Sequence, residues 1–183
     1  MKVHKEGGRR DNNMKIIILN RQDRIDLNTG LLKKASAYAA NKFDNSRNME
    51  LNIVFIDKEE MAALNKKYRN KQGATDVLSF SYRDCLRVEP ACLGAKDSGS
   101  LNNLESFSVA GEIVISPEVA RENVADFAPD FFRSWSLERE LALLIIHGIL
   151  HIYDYDHEIK SDSVKMEGLQ ISLLNDIITN FKL

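Results

Sequence analysis

The stretch "SLERELALLIIHGILHIYDYDH" (136–157) decides both the fold and the chemistry that the sequence predicts. From Leu141 to Leu150 it is apolar on almost every side, which indicates a buried helix rather than a surface one. Ser136 stands where a helix N-cap belongs, and charged residues follow it in the first turn. The stretch therefore predicts a helix inside the domain, with the reactive groups near its C-terminal end.

Three of the four histidines of the chain lie within this stretch. His147 and His151 are four residues apart, so on a helix they share one face at a separation that one metal ion can bridge. His157 follows the expected helix end, and a chain reversal at 154–156 would bring it back to the pair. Three neutral imidazoles leave a zinc ion one open place, where the pKa of bound water falls to roughly 7. We therefore expect one Zn²⁺ ion per chain on these histidines, although nickel or copper suits the same ligands.

The residues around the histidines narrow this chemistry further. Metzincin peptidases share the spacing in "HExxHxxGxxH", and their general base is the glutamate after the first histidine. Here that position is Gly148, so a peptidase of this class would lack its base. A carboxylate often accepts the second N–H of a ligand imidazole. Asp156 is the first candidate for that role, and Glu112 or Glu140 the second.

The rest of the chain is typical of an α+β protein. Its 183 residues suit a single core. Strand-like segments lie at 14–20, 49–57, 74–82 and 110–116, and helical patterns separate them. We expect a mixed sheet of about four strands, packed with four to five helices, and a metal site on a buried helix.

The sequence also suggests where the domain begins and where it is interrupted. Residues 1–13 are polar and aperiodic, which indicates a flexible N-terminal tail. We expect residues 14–183 to form one metal-dependent hydrolase domain. Within it, 83–108 carry both cysteines and several glycine, serine and asparagine residues, which indicates a surface insertion. Two cysteines imply no disulfide framework.

Charge and hydropathy exclude several classes of protein. The net charge is −2, which argues against a protein coated in positive charge for nucleic acid but leaves room for a local basic groove. No segment is a long uncharged apolar run, so we expect no membrane association. The N-terminus lacks the apolar stretch of a signal peptide, so the expected location is the cytoplasm.

Several motifs together resemble the YbeY family of endoribonucleases. "HGILHIYDYDH" (147–157) is similar to that family's "HGxLHLxGYDH". "LNKKYRNKQGATDVLSF" (64–80) is similar to "LNxxYRxKDxPTDVLSF", and "GEIVIS" (111–116) to "GDIVIS". "SLEREL" (136–141) matches the segment that leads into the metal helix. In the chain these motifs are spread over residues 50–160 and follow the same order as in the family, which makes the resemblance specific.

The resemblance implies a zinc-dependent endoribonuclease that acts on single-stranded RNA. It further implies a role in ribosomal RNA maturation, at the 3′ end of the small-subunit rRNA, and in ribosome quality control. The expected partners are therefore ribosomal RNA and the small ribosomal subunit. We expect no binding to DNA. The zinc ligands of the family correspond to His147, His151 and His157, and its functional arginine corresponds to Arg69.

The basic run "KKYRNK" (66–71) agrees with that implication. Arg69 can form paired hydrogen bonds to a phosphate and stabilise charge that grows there. Lys67 and Lys71 can follow an RNA backbone. Tyr68 suits stacking on a base, but a packed tyrosine is the more common situation at a helix end. The alternative for the whole run is a solvated helix end, where cations favour the helix dipole.

Two alternatives and one departure from the family pattern stay open. The chain can be a ribosome-associated metal-binding protein without catalysis, or a zinc hydrolase of another class, such as a peptidase or phosphoester hydrolase.

Asp154 stands where the family has a glycine that would end the helix in a left-handed conformation. Aspartate tolerates that conformation better than most residues.

Overall fold

The structure is a computed structural model, and five segments of it are described here. They are 14–43, 49–83, 108–127, 135–155 and 160–183. The predicted tail (1–13), nearly all of the predicted insertion, and His157 lie outside these segments. The tail and the insertion therefore stay predictions.

Four strands form one mixed sheet in the order β1-β2-β4-β3. They are β1 (Lys15–Asn20), β2 (Met49–Phe55), β3 (Val77–Ser81) and β4 (Ser108–Ile115). β2 runs parallel to both β1 and β4, whereas β3 pairs antiparallel with β4 and lies at one edge. The predicted four-stranded mixed sheet is confirmed.

Five helices occur in the described segments, as the sequence indicates. They are α1 (Thr29–Ala40), α2 (Lys58–Arg69), α3 (Pro117–Phe127), α4 (Leu137–Ile152) and α5 (Lys160–Phe181). The side chains of Asn28, Asp57 and Ser136 each accept a hydrogen bond from the main-chain N–H three residues later. These bonds satisfy donors that a helix N-terminus leaves unpaired, so local sequence fixes where α1, α2 and α4 begin.

The two faces of the sheet carry cores of different size. Side chains alternate along each strand, so Ile53 and Ile113 enter the larger core together with buried residues of α1, α4 and α5. Val54 and Val114 point the other way, into a small cluster that includes Met61 of α2. The single α+β domain is thus built around α4 on one face and is only thinly covered by α2 on the other.

Two glycines let α4 lie close to the sheet. A Cβ added at Gly148 would come within 2.9 Å of Ile113 on β4. A Cβ at Gly111 would lie 2.6 Å from the carbonyl oxygen of Phe80 and 2.8 Å from Ile152. Real Cβ atoms do not approach so closely, because protein interiors are packed to crystal-like density. The glycines therefore set the distance between the sheet and the C-terminal half of α4, where both described histidines of that helix lie.

None of the described helices combines the length and the apolar content that crossing a bilayer requires.

Candidate metal centre and nucleic-acid cleft

His147 and His151 face each other one turn apart on α4. Their Nε2 atoms are 3.1 Å apart, and the ring centroids are 4.5 Å apart. A tetrahedral zinc ion with Zn–N bonds of about 2.0–2.1 Å places two ligand nitrogens about 3.3–3.4 Å apart. The pair therefore fits one zinc ion with a small adjustment of side-chain torsions.

Gln170 of α5 sets the orientation of the first imidazole. His147 Nδ1 lies 3.1 Å from Gln170 Oε1, and an amide oxygen only accepts, so the Nδ1–H donates. The proton is then on Nδ1, and Nε2 presents its lone pair toward His151. This outer partner is an amide on α5, where we expected a carboxylate, so neither Glu112 nor Glu140 fills this place. Asp156 lies outside the described segments.

The chain reverses immediately after the histidine pair. Asp154 has φ 65°, the left-handed conformation that the family glycine would adopt. Its N–H donates to the carbonyl of His151 at 3.1 Å, and the N–H of Tyr155 donates to that of Leu150 at 3.0 Å. These two bonds form a Schellman motif, which turns the chain back over the helix end. Aspartate therefore replaces the glycine without loss of the turn.

The third predicted ligand, His157, follows that turn by three residues. Within the described segments, no group of three or more His, Cys, Asp or Glu side chains could hold a metal ion. His157 thus stays a prediction.

The histidine pair opens into a cleft of about 710 Å³ that runs along the edge strand β3. Its lining residues are Tyr68, Arg69, Thr75, Asp76, Val77, Leu78, Ser79, Phe80, His147 and His151. We call His147 and His151 the histidine wall, and Tyr68 and Arg69 the arginine wall. The fold therefore brings Arg69 into the same cleft as both described histidines, although they are far apart in sequence.

Arg69 is the last residue of α2 and is exposed to solvent. Among the described residues, no hydrogen bond or ion pair involves its guanidinium group. The helix ends after it at Asn70, in the left-handed conformation with φ 54°. Asn65 Nδ2 then donates to the carbonyl of Gly73 at 2.9 Å and fixes the following loop. The arginine is thus held at its Cα while its five donors are available to an anion.

Asp76 holds the loop that leads from the arginine wall into β3. Its Oδ1 accepts from the N–H of Val77 at 2.8 Å, and its Oδ2 accepts from Asn123 Nδ2 at 3.1 Å. Its carbonyl accepts from the N–H of Ser116 at 2.9 Å. We did not single out this residue from the sequence, although it lies in the motif "TDVLSF". Its bonds indicate a structural role beside the cleft.

Glu140 lies seven residues before His147 on α4, and its carboxyl group has a raised pKa. Burial raises the pKa most, and the charge of Asp76 raises it further. The indole N–H of Trp135 opposes both effects, because it donates to Glu140 Oε2 at 2.8 Å and stabilises the charged form. Glu140 is thus hydrogen-bonded to Trp135 and feels the charge of Asp76 in the loop before β3.

Comparisons with known proteins show the family to which the chain is similar. A family model described as "Endoribonuclease YbeY" matches residues 17–178. A protein of that name from Oceanobacillus iheyensis is 36% identical over 155 residues, which are 85% of this chain and 88% of that protein. Another, from Staphylococcus saprophyticus, is 32% identical over 144 residues, 79% of this chain and 82% of that protein.

A solved structure shows the same fold. The solution structure of TM1509 from Thermotoga maritima has a TM-score of 0.55 and 23% identity, and the match covers 91% of each chain. At that identity the likeness supports the architecture alone. The family model and the relatives carry the assignment of the family, and the chain therefore belongs to the endoribonuclease YbeY family.

Proposed function

We propose that this protein is a zinc-dependent endoribonuclease that cleaves single-stranded RNA. One observation carries the proposal: Arg69 and the pair His147–His151 line the same cleft. A metal ion held by the histidine wall and the guanidinium of Arg69 in the same cleft would supply two positive centres that can stabilise the charge of a phosphodiester during hydrolysis. Family membership supports RNA as the polymer.

The roles of the side chains follow from their positions. His147 and His151 would hold the zinc ion, with His157 as the proposed third ligand. The ion, when bound, supplies a Lewis acid and lowers the pKa of a water ligand. Gln170 keeps the proton of His147 on Nδ1 and so leaves Nε2 able to bind metal. Arg69 would bind a non-bridging phosphate oxygen by paired hydrogen bonds and stabilise the charge that develops on it.

We further propose that ribosomal RNA is the substrate in the cell. Membership in the family supports maturation of the 3′ end of small-subunit rRNA, ribosome quality control, the small ribosomal subunit as partner, and action in the cytoplasm. In a reconstituted assay, purified precursor small-subunit rRNA should then be shortened at its 3′ end. A precursor that stays intact, while an unstructured RNA is cleaved, would contradict this assignment.

A comparison of four polymers tests the proposed activity. Purified protein is incubated with a single-stranded RNA, the same RNA in a duplex, single-stranded DNA of equal sequence, and casein. We expect cleavage of the single-stranded RNA alone, loss of cleavage after chelation, and recovery with zinc. Cleavage of casein without cleavage of RNA would indicate a peptidase and would overturn the proposal.

Two variants separate catalysis from a purely structural metal. His151→Ala should lose zinc and reduce RNA cleavage by more than the roughly 10- to 100-fold that removal of an outer partner costs. His4→Ala, in the predicted tail, is the matched histidine control and should leave both unchanged. If His151→Ala loses zinc, keeps its fold and cleaves RNA normally, the metal does not act in catalysis.

The position of Gly148 argues against a peptidase of the metzincin type. A side chain at this position would point at Ile113 of β4 rather than into open space. A glutamate there could not serve as a general base unless α4 moved away from the sheet. The packing of the helix therefore opposes the metzincin type of catalysis independently of the missing carboxylate.

A further inference from the structure

Tyr68 is more exposed than Phe80, the other phenyl ring that lines the cleft, and this contradicts our expectation of a packed side chain. It is 54% exposed, whereas Met61 of the same helix is fully buried. Its ring meets that of Phe80 on β3 edge-on, with centroids 5.0 Å apart. Both rings line the cleft. The ring of Tyr68 is therefore supported by Phe80 and still open to solvent.

Positively charged residues neighbour this ring. Lys67 Nζ lies 4.9 Å from the centroid of the Tyr68 ring, and Arg69 follows directly in the chain. Lys66 and Lys67 also belong to the last turn of α2. Aromatic rings placed among lysine and arginine side chains are the usual surface for single-stranded nucleic acid, because bases stack on the rings while the cations contact phosphates.

We propose that Tyr68 is a stacking platform for an unpaired base of the RNA, next to the phosphate that Arg69 binds. The inference rests on the proposed function and assigns one subsite of that cleft. Consecutive residues at the end of one helix would then recognise consecutive parts of a nucleotide, the phosphate by Arg69 and the base by Tyr68. A duplex cannot use this subsite, because its bases are already stacked and paired. Tyr68 would therefore contribute to the preference for single strands.

An abasic scan combined with substitutions of Tyr68 tests the platform. Binding of a fluorescent single-stranded RNA to the zinc-loaded protein is measured by anisotropy on ice, and a gel confirms that the RNA stays intact. The same RNA is then made with one base removed at each position in turn. For the wild type, we expect one position at which the loss of the base weakens binding about 10-fold, within the range of base–aromatic stacking.

The variants show whether that position faces Tyr68. Tyr68→Leu should bind the complete RNA about 10-fold more weakly and should no longer respond to the missing base. Tyr68→Phe keeps the ring and should bind within about 2-fold of the wild type. Tyr82→Leu is the matched control, since Tyr82 is 39% exposed but does not line the cleft, and it should change nothing.

Each outcome supports or overturns the inference separately from the proposed function. If Tyr68→Leu binds RNA as well as the wild type, or keeps the response to the missing base, the platform is wrong while RNA cleavage can still stand. A loss in Tyr68→Phe equal to that in Tyr68→Leu would assign the effect to the hydroxyl and would also overturn stacking. If the wild type neither binds nor cleaves RNA, the proposed function fails as well.

Discussion

The two walls of the cleft are built in opposite ways. The histidine wall lies on α4, where nine of 16 residues are buried and Gly148 brings the helix against the sheet. The arginine wall lies at the end of α2, where two of 12 residues are buried and both Tyr68 and Arg69 are exposed. A metal needs ligands fixed within a few tenths of an ångström, whereas a phosphate chain that enters and leaves needs donors that can follow it. The difference suggests one rigid wall for the metal and one adaptable wall for the RNA.

Removal of the guanidinium from the arginine wall should have the largest effect on catalysis. Arg69→Gln should lower kcat by roughly 100- to 1,000-fold, as loss of one donor to a developing anion does in other enzymes. Arg69→Lys keeps the charge but not the paired donors, so its kcat should lie between that of the wild type and that of Arg69→Gln. Zinc content and thermal stability should stay at wild-type values, because the described contacts of Arg69 include no hydrogen bond or ion pair.

Lys66→Gln is the control for that substitution, because Lys66 shares the last turn of α2 but does not line the cleft. A similar loss of kcat in Lys66→Gln would show that general positive charge, rather than Arg69, serves the reaction.

Removal of the outer partner of the histidine wall should weaken metal binding more moderately. Gln170→Leu deletes the acceptor 3.1 Å from His147 Nδ1, and the affinity for zinc should fall by about 10- to 100-fold. Competition with a chromophoric chelator measures this. Gln170→Glu retains an acceptor and should bind zinc at least as tightly as the wild type. Equal affinity in all three proteins would show that Gln170 does not orient the ligand.

Substitution of two helical glycines should give stability changes of opposite sign. Gly148→Ala forces a methyl group against Ile113 and should reduce the free energy of unfolding by about 1–2 kcal/mol, after the gain in helix propensity. Gly168→Ala on α5 meets nothing within 4 Å and should raise it by up to about 1 kcal/mol. Urea unfolding measures both. A stabilised Gly148→Ala protein would contradict the close packing of the histidine wall.

The smallest expected effect concerns the half-buried carboxyl group of Glu140 on α4. The folded pKa of Glu140 is raised, so the folded state holds this proton more tightly than the unfolded state. Below the pKa of the unfolded state, Glu140 is neutral in both states and does not lower the free energy of unfolding. As the pH rises through the pKa of the unfolded state toward that of the folded state, the free energy of unfolding falls. Glu140→Gln lacks this loss, so its stability should rise relative to that of the wild type as the pH increases above the usual pKa of a glutamate, by less than about 1 kcal/mol because Glu140 is only half-buried.

Trp135→Phe provides a check on that sign. It removes the indole donor that lowers the pKa of Glu140, so its stability should fall more steeply over the same pH range. A pH profile for Glu140→Gln parallel to that of the wild type would contradict the raised pKa.

Local features of this molecule could be predicted from its sequence. The caps at Asn28, Asp57 and Ser136 involve atoms three residues apart, and the pairing of His147 with His151 depends only on helical spacing. The left-handed conformation of the second residue after α4 followed from the glycine of the family pattern, and Asp154 adopts it.

Features that depend on contacts between distant elements could not be predicted in the same way. Gln170 reaches His147 from another helix, and no spacing in the chain signals that contact. In the sequence, Gly148 was notable because it occupies the position of the metzincin glutamate. In the structure, its lack of a side chain lets Ile113 of β4 pack against α4. The expectation of a packed Tyr68 was wrong because α2 covers only a small cluster and leaves its C-terminal end exposed.

The central claim is that one zinc ion is held on the histidine wall, and elemental analysis of the untreated, purified protein tests it most directly. The account predicts about one zinc ion per chain in the wild type and in His4→Ala, and almost none in His147→Ala or His151→Ala. Wild-type protein without a transition metal, and without uptake when zinc is added, would contradict it.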